Sequence, residues 1–276
     1  MNVAVPVALT IAGSDCSAGA GAQADLKTFG HFGVYGLTAL TCVVAETPGK
    51  VQSIQPVETA IVGEQVQLLL ESFPIGAIKT GMLYSAAIVA EIARTLREWN
   101  PPTGLHIPVV VDPVMVATSG DLLLQRDAIE IYEHELFPMA AVLTPNLDEA
   151  ATLLGEPIDG VEAMRSAVQR LTEKYGVPVL LKGGHLGGDV ALDLLFLDGR
   201  VVEFTAPFSH GVHTHGTGCT YAAAIAAGLA TKLSLEDAVR QAKTYVTASI
   251  AQHFSWNAGE ATLHALNHAP RLPHMS

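Results

Sequence analysis

The sequence predicts an α/β fold in which a mostly parallel central sheet is flanked by helices on both faces, with small antiparallel additions. Apolar runs of strand length alternate with segments of helical period, which is typical of parallel sheets with helical crossovers. Of the 276 residues, 49% are hydrophobic and 15% are charged, which is enough apolar material for one large core. Because no repeat, linker or low-complexity segment interrupts the pattern, we expect one domain over residues 1–276.

Several apolar runs are expected to form buried strands, because strands covered on both faces are hydrophobic along their whole length. They are residues 8–12, 37–45, 77–80, 108–112, 141–144 and 178–182. Segments of helical period accompany them at residues 20–32, 59–72, 85–99, 126–136, 160–175, 217–231 and 234–254. In the helix predicted at 160–175, for example, Val161, Met164 and Val168 share one face.

Two places break the alternation and predict antiparallel strands. One is residues 49–56, and the other is the pair 190–197 and 201–206, joined around Asp198 and Gly199. An antiparallel strand pair of this kind offers a contact for a homodimer.

Composition excludes several classes of protein. The formal net charge of −12 argues against nucleic acid, because binding to a phosphate backbone needs clustered Lys and Arg. Cys16, Cys42 and Cys219 are too few and too scattered for a disulfide framework or a zinc site. The longest Ala-rich run, residues 222–230, is far too short to span a bilayer, and no secretory leader pattern opens the chain. We therefore expect a cytoplasmic protein with no membrane or nucleic-acid partner.

Polar residues follow several of the predicted strands. They are Asp15, Glu46, Asp112, Asn146 and Lys182. Each alone could simply end a strand or cap a helix. Because ligands collect at the carboxyl ends of strands in open α/β sheets, their convergence predicts a ligand site at this edge.

The most informative segment is 213–220, which reads His-Thr-His-Gly-Thr-Gly-Cys-Thr and leads straight into a predicted helix. Gly216 and Gly218 let backbone N–H groups turn toward one point, and the helix dipole adds positive potential there. The segment therefore predicts a site for an anion or for a phosphoryl group in transfer. The alternative is a turn that caps a core helix. His210, His213 and His215 lack carboxylate-supported ligand spacing, so we do not expect a metal there.

A second glycine-rich segment, residues 19–24, matches the dinucleotide fingerprint Gly-x-Gly-x-x-Ala, and Glu46 stands where a ribose-binding acid belongs. An NAD-dependent oxidoreductase is therefore an alternative. Against it, several residues separate the strand end near Gly13 from Gly19, whereas the fingerprint turn follows its strand directly.

Seven ordered segments resemble the hydroxymethylpyrimidine and phosphomethylpyrimidine kinases of thiamine biosynthesis, in the ribokinase-like superfamily, over nearly the whole chain. They are residues 8–15, residues 23–29, Lys-Thr-Gly-Met at 79–82, Val-Asp-Pro-Val-Met at 111–115, Leu-Thr-Pro-Asn at 143–146, Lys-Gly-Gly-His at 182–185 and His-Gly-Thr-Gly-Cys-Thr at 215–220. Some pyridoxal kinases of vitamin B6 salvage share the Cys-containing loop, so a pyridoxal or pyridoxine kinase is the second candidate.

The resemblance implies a phosphotransferase that uses ATP and Mg²⁺ on a pyrimidine or pyridine substrate, in one or two phosphorylation steps. The substrate would lie near Asp15, Gln23, Asp25, Glu46 and Met82. Asp112 and Glu149 would hold Mg²⁺, partly through water, while Lys182, Asn146 and Thr217 would bind the nucleotide. Gly216, Thr217, Gly218 and Cys219 would form the catalytic loop, and residues 189–195 would flank the nucleotide.

Cys219 stands where most ribokinase-like enzymes carry a catalytic Asp. Because the pKa of a thiol falls at a helix N-terminus, we expect a thiolate that accepts the proton of the attacking hydroxyl. The alternative is a small buried residue at the start of a packed helix.

Two positions depart from the family pattern. Glu46 replaces the usual Gln, in a Val-Ala-Glu-Thr-Pro context, and leaves open which ring is preferred. Ala18 replaces a more frequent Gly. A regulator that binds ligand without catalysis is a further alternative, although the intact set of Asn146, Glu149 and Cys219 argues against it.

Overall fold

A computed structural model describes residues 5–99, 106–115, 126–184, 188–212, 214–258 and 261–272. Its strands are β1 (Val7–Asp15), β2 (Tyr35–Thr47), β3 (Lys50–Pro56), β4 (Ile75–Thr80), β5 (Val109–Val111), β6 (Val142–Leu143), β7 (Val179–Lys182), β8 (Val190–Leu197), β9 (Arg200–Pro207), β10 (Thr214–His215), β11 (Phe254–Ala258) and β12 (Ala261–Ala265). Its α-helices are α1 (Gly21–His31), α2 (Thr59–Ser72), α3 (Ala86–Trp99), α4 (Arg126–Ile131), α5 (Leu147–Leu154), α6 (Val161–Tyr175), α7 (Thr217–Ala230) and α8 (Leu235–Ala251). A π turn (Tyr132–Leu136) and a 3₁₀ turn (Phe137–Met139) continue α4.

The main sheet has nine strands in the order β3-β2-β1-β4-β5-β6-β7-β8-β9. The six central strands β2, β1, β4, β5, β6 and β7 are parallel, whereas β3, β8 and β9 are antiparallel to their neighbours. The predicted fold class and both predicted antiparallel additions are therefore confirmed. The homodimer contact stays a prediction, with β3 and β9 at the edges of the sheet.

Helices cover the sheet on both faces because the side chains of each strand alternate between two apolar layers. In β1, Leu9 and Ile11 pack in one layer, with residues of α2, α3 and α6, whereas Ala8 packs in the other. That second layer includes α7, whose residues 220–228 are all buried. Their small side chains let α7 pack closely on the sheet, so its N-terminus reaches the carboxyl edge of the strands.

The sequence missed a small sheet near the C-terminus. The helix predicted at 234–254 ends at Ala251, and the chain then forms a hairpin of β11 and β12. Strand β12 pairs in parallel with β10, and β10 lies immediately before α7 in the chain. Within the described residues, no helix combines the length and apolar character needed to cross a bilayer.

A fully buried ion pair joins α1 to β4. Lys79 Nζ lies 2.9 Å from Asp25 Oδ2, and both side chains have 0% exposure. Thr10 Oγ1 donates to the same carboxylate oxygen at 2.5 Å. Because a buried charge without its partner is strongly unfavourable, this pair locks α1 against the sheet.

We predict that Lys79→Met lowers the free energy of unfolding by about 3–5 kcal/mol, because it leaves the Asp25 carboxylate uncompensated in the core. Urea denaturation measures the change. The double variant Lys79→Met/Asp25→Leu should recover much of it, since an apolar pair removes both charges. Arg94→Met, which breaks an exposed pair with Glu91, is the control and should change little. A single Lys79 variant as stable as the wild type would contradict the prediction.

Candidate active site

The predicted site residues meet at the carboxyl edge of the sheet. Two glycine-rich loops face each other there, and we call residues 13–20 the first loop and residues 214–219 the second loop. The first loop contains the last residues of β1 and leads to α1, and the second leads from β10 into the first turn of α7. Predicted His185 and His213 lie outside the described residues.

Asp15 organises the first loop through its carboxylate. It accepts hydrogen bonds from Ser17 N (2.7 Å), Ser17 Oγ (2.9 Å), Gly19 N (3.1 Å) and Ala20 N (2.8 Å). Burial alone would raise its pKa, but these bonds and one to His215 lower it to about 2. Ala18 has φ of 58°, which explains why glycine is favoured at this position.

Gln23 binds the first loop, whereas Asp25 is paired in the core. Gln23 Oε1 accepts from Asp15 N at 3.0 Å, and its Nε2 donates to Ser14 Oγ at 2.7 Å. Asp25 is fully buried with Lys79. Residues 16–20 separate β1 from α1, so the chain lacks the direct strand-to-helix turn that a dinucleotide fingerprint requires. Substrate contact by Gln23 and Asp25 stays a prediction.

Met82 and Glu46 lie beside the first loop. A Cβ atom added at Gly13 would lie 3.7 Å from the Met82 sulfur. Thr41 Oγ1 donates to the Met82 carbonyl at 2.7 Å. The backbone of Glu46 is bound on both sides by Cys16, whose Sγ lies 3.2 Å from Glu46 O and 3.3 Å from Glu46 N. These contacts fix the backbone position from which the Glu46 side chain extends.

His215 is a site residue that sequence reasoning missed. Its Nε2 lies 3.1 Å from Asp15 Oδ2 and 3.6 Å from Glu46 Oε2. Burial, followed by the charge of Asp15, raises the pKa of Glu46, although His215 opposes the shift. Burial would lower the pKa of His215, but the bond to Asp15 and the Glu46 charge raise it. Both shifts favour a proton shared within the cluster of Asp15, Glu46 and His215. The sequence signals for His215 were its place before the glycine pair, in a segment that resembles the family, and its grouping with His210 and His213, but neither predicted its contact with Asp15.

The second loop packs directly on the first. Gly216 has φ of 81°, and a side-chain carbon there would lie 1.9 Å from the Gly19 carbonyl oxygen. Gly218 lies in the first turn of α7, where a side-chain carbon would sit 3.2 Å from Lys182 Nζ and 3.7 Å from Asp112 Oδ2. The space above Gly218 is therefore bordered by a lysine and by N–H groups of a helix N-terminus, which suits an anion.

Asp112 and Lys182 line the same space, and Glu149 interacts electrostatically with both. Lys182 Nζ lies 2.8 Å from Asp112 Oδ1, to which Thr144 Oγ1 also donates at 3.0 Å. Asn146 and Glu149 form a capping box at α5, with both bonds at 2.8 Å. Burial raises the pKa of Glu149 to about 7, and the nearby Asp112 adds to the shift while Lys182 opposes it.

The expected low pKa of Cys219 is wrong for the ligand-free protein. Burial raises the pKa of the thiol to about 11, and the charges of Asp112 and Asp25 add to the shift. The Lys79 ammonium lowers it, but not enough to compensate. With this raised pKa the Cys219 thiol is protonated at neutral pH, although the residue is only partly shielded from solvent.

Asp193 supports the loop after β7, in the region predicted to flank the nucleotide. Its Oδ1 accepts from Gly183 N at 3.1 Å, and its Oδ2 lies 2.7 Å from Lys243 Nζ. A side-chain carbon at Gly183 would lie 2.4 Å from Leu192 O, so only glycine fits. The backbone after Lys182 is thus fixed from β8 and α8.

Comparison with known proteins agrees with this geometry. A family model described as phosphomethylpyrimidine kinase matches residues 15–264. The hydroxymethylpyrimidine/phosphomethylpyrimidine kinase of Rhizobium meliloti is 44% identical over 246 residues, which cover 89% of this chain and 90% of that protein. The thiamine biosynthesis bifunctional protein ThiED of Geobacter sulfurreducens is 43% identical over 242 residues, which cover 88% of this chain and 48% of that protein. The chain thus spans about half the length of that relative, and 51% of a Schizosaccharomyces pombe relative.

Solved structures share the fold. The pyridoxal kinase from Staphylococcus aureus in complex with AMP-PCP and pyridoxal gives a TM-score of 0.85 at 33% identity, covering 97% of this chain and 95% of that chain. The phosphomethylpyrimidine kinase from Clostridium difficile gives a TM-score of 0.75 at 36% identity, covering 87% of this chain and 97% of that chain.

We predict that iodoacetamide alkylates Cys219 slowly at pH 7 and about tenfold faster per pH unit up to pH 10, because the thiolate fraction grows tenfold per unit below the pKa. Peptide mass spectrometry of the ligand-free protein measures the rate, and Cys219→Ser identifies the peptide. A rate that is already maximal at pH 8 would show that the thiol is activated in the free protein.

Proposed function

Because this chain belongs to the phosphomethylpyrimidine kinase family, we propose that it transfers the terminal phosphate of ATP to the hydroxymethyl group of 4-amino-5-hydroxymethyl-2-methylpyrimidine in thiamine biosynthesis. The observation that carries the proposal is the contact of the two loops. It puts Asp15, Glu46 and His215 on one side and Gly218 with Lys182 on the other. A ring held on the first side would present its hydroxymethyl group to a phosphate on the second. The monophosphate of the same pyrimidine is the second substrate we propose.

The nucleotide phosphates are assigned to the second loop and Lys182. Gly216 and Gly218 carry no side chains, so backbone N–H groups of Thr217 and its neighbours can approach an anion closely. The Lys182 ammonium lies beside Gly218 and adds positive charge. Phosphoryl transfer depends mostly on positioning and on charge stabilisation, which these groups supply.

Asp112 and Glu149 fit Mg²⁺, because carboxylates are ligands that this ion favours. Burial raises the pKa of Glu149 to about 7, and Asp112 adds to the shift while Lys182 opposes it, so further positive charge would favour the ionised carboxyl. Bound Mg²⁺ would supply that charge and neutralise phosphate oxygens. Asn146 holds Glu149 through the capping box, so its proposed role is to orient this carboxyl.

We assign Cys219 the proton of the attacking hydroxyl. In a loose phosphoryl-transfer transition state the hydroxyl still holds most of its proton, so the base is needed late in the reaction. The hydroxyl oxygen bonds to the γ-phosphorus as the bond to ADP breaks, and the proton passes to the Cys219 thiolate. Because the thiol pKa is about 11, turnover should rise with pH.

A second candidate is phosphorylation of pyridoxal or pyridoxine, and Glu46 is the observation that favours it. Gln can donate one hydrogen bond and accept another, which matches an aminopyrimidine, whereas an ionised Glu only accepts. The pyridoxal kinase of Staphylococcus aureus also has the higher TM-score of the two structures, 0.85 against 0.75. Glu46 can still bind the pyrimidine if either the carboxyl or the ring holds a proton.

The direct test is ATP turnover with a panel of hydroxymethylpyrimidine, its monophosphate, pyridoxal and pyridoxine. Our proposal expects the highest kcat/KM with the two pyrimidines. A preference for pyridoxal or pyridoxine at every pH would replace it with the second candidate. No phosphorylation of any of the four would reject both.

We predict that Gly218→Val abolishes turnover while the protein stays folded. Gly218 has no positive φ, so a side chain is tolerated by the backbone but points at Lys182 Nζ and fills the phosphate space. Turnover and the circular dichroism melting curve are the measurements. Gly30→Val, in α1 where a side chain meets open space, is the control. Normal turnover in the Gly218 variant would remove the phosphate assignment.

Cys219→Ala should lower kcat by about 10²–10⁴-fold, the usual contribution of a general base, and leave ATP affinity nearly unchanged. It should also abolish the rise of kcat with pH. Steady-state kinetics between pH 6.5 and 9.5 measure both effects. A trapped phosphocysteine would instead identify a covalent mechanism, and wild-type rates would return Cys219 to a packing role.

Substrate affinity should weaken as pH rises above neutral, because the complex needs one proton shared by Glu46, His215 and the ring. The raised pKa of Glu46 gives the sign: the proton is present at lower pH and is lost as pH rises. Glu46→Gln should flatten this dependence and keep pyrimidine phosphorylation, whereas Glu64→Gln on α2 should not. Complete loss of pyrimidine activity in the Glu46 variant would contradict this account. Calorimetric titration at several pH values measures the affinity.

A further inference from the structure

Residues 261–272, which we call the C-terminal segment, contact the chain at both ends of the second loop. At the start of the loop, β12 pairs in parallel with β10, with Thr214 opposite His264 and His215 opposite Ala265. After the loop, His268 Nε2 lies 3.1 Å from Thr220 Oγ1. The sequence pattern of the second loop does not predict its link to His268.

The contact between His268 and Thr220 is buried. Thr220 is fully buried and His268 is 8% exposed. Burial lowers the pKa of His268 to about 4, and the nearby Lys27 ammonium adds to the shift, so the ring is neutral at pH 7. A backbone hydrogen bond at Leu266 raises that pKa, as a carbonyl acceptor does. In a neutral ring one nitrogen accepts, and in the tautomer with the proton on Nδ1 the acceptor is Nε2, which faces the Thr220 hydroxyl.

Thr220 transmits this contact to the second loop. Its backbone N–H donates to the Gly216 carbonyl at 2.9 Å and so closes the first turn of α7, which contains Gly218 and Cys219. A helix has no further backbone partners at its N-terminal N–H groups, so a side-chain contact is needed to fix where they point. The hydroxyl of Thr220 provides that fixed point, and the imidazole of His268 holds the hydroxyl.

His268 is itself held by α8. Tyr245 Oη donates to the His268 carbonyl at 3.0 Å, and Asn267 N donates to Ser249 O at 3.3 Å. Both bonds join the C-terminal segment to a helix that packs beside α7. The segment is therefore anchored independently of the loop that it touches.

We propose that His268 is a positioning residue, which fixes the first turn of α7 through Thr220 and so aims Gly218 and Cys219 at the transferred phosphate. The proposal rests on the assignment of the second loop to phosphate. Misplacement of reacting groups by about 1 Å can lower turnover by as much as 10²-fold, so a single hydrogen bond behind the loop is sufficient to matter.

The experiment is a double-mutant cycle with Thr220→Val, His268→Phe and the combined variant. Each single variant should lower kcat by about 10- to 100-fold with little change in the KM for ATP. The combined variant should lose no more than either single one. His268→Gln, whose amide can replace the imidazole acceptor, should restore most of kcat. Additive losses, or no rescue by Gln, would overturn the proposal.

Gln252→Ala is the matched control. Gln252 exchanges two hydrogen bonds with the backbone of Arg271, at 2.9 and 3.0 Å, so this variant loosens the same segment without touching Thr220. Its kcat should equal that of the wild type. An equal loss of kcat in this variant would show that only general stability is involved.

A readout independent of kinase activity separates this inference from the proposed function. In the ligand-free protein, a loosened first turn should let iodoacetamide reach Cys219 several-fold faster in Thr220→Val and His268→Phe, but not in Gln252→Ala. Unchanged alkylation in both variants would overturn the positioning role even in an active kinase. Faster alkylation in a protein that phosphorylates none of the panel would support it and reject the proposed function.

Discussion

The close approach of Gly216 to the Gly19 carbonyl is the contact that turns two loops into one site. A side-chain carbon at Gly216 would lie 1.9 Å from that oxygen, so no other residue allows the loops to meet. Beside the contact, His215 binds Asp15 at 3.1 Å and extends the junction with a charged hydrogen bond. The acceptor side and the phosphate side of the proposed reaction therefore lie next to each other because of backbone packing. Lys79 and Asp25 hold α1, the helix that follows the first loop, against β4.

Carboxyl groups outnumber cations around this junction, and the imbalance explains what each end of the site would bind. The carboxyl groups are Asp15, Asp25, Glu46, Asp112 and Glu149, and the cations are Lys79, Lys182 and, when protonated, His215. Lys79 pairs with Asp25 and Lys182 with Asp112, which leaves Glu46 and Glu149 with raised pKa values, in both cases mainly through burial. The raised pKa of Glu46 favours a proton that a ring nitrogen can share. The carboxyl of Glu149, at the other end of the site, suits a divalent cation. Burial also raises the pKa of Cys219 to about 11, and the charges of Asp112 and Asp25 add to that shift.

The sequence was sufficient for the parallel sheet and for the location of the site. Apolar runs mark β1, β2 and β4 to β7, and polar residues after them converge at one edge because parallel strands end together. Local rules failed where distant residues decide the outcome. Lys79 and Asp25 are 54 positions apart in the sequence, and no periodicity predicts that they pair. The thiol of Cys219 follows its burial and not the helix dipole, while His215 and His268 acquire their roles from partners that only the fold supplies.

The most direct test of this account is calorimetric titration of Gly216→Ala with ADP and, separately, with hydroxymethylpyrimidine. Gly33→Ala is the control, because Gly33 also has a positive φ, 67°, but a side chain there meets nothing within 4 Å. If the two loops form one site, the Gly216 variant should bind both ligands at least about tenfold more weakly, since its methyl group separates the loops. The Gly33 variant should bind both like the wild type. Weaker binding of ADP alone, with unchanged affinity for the pyrimidine, would contradict the claim that this contact joins the two halves.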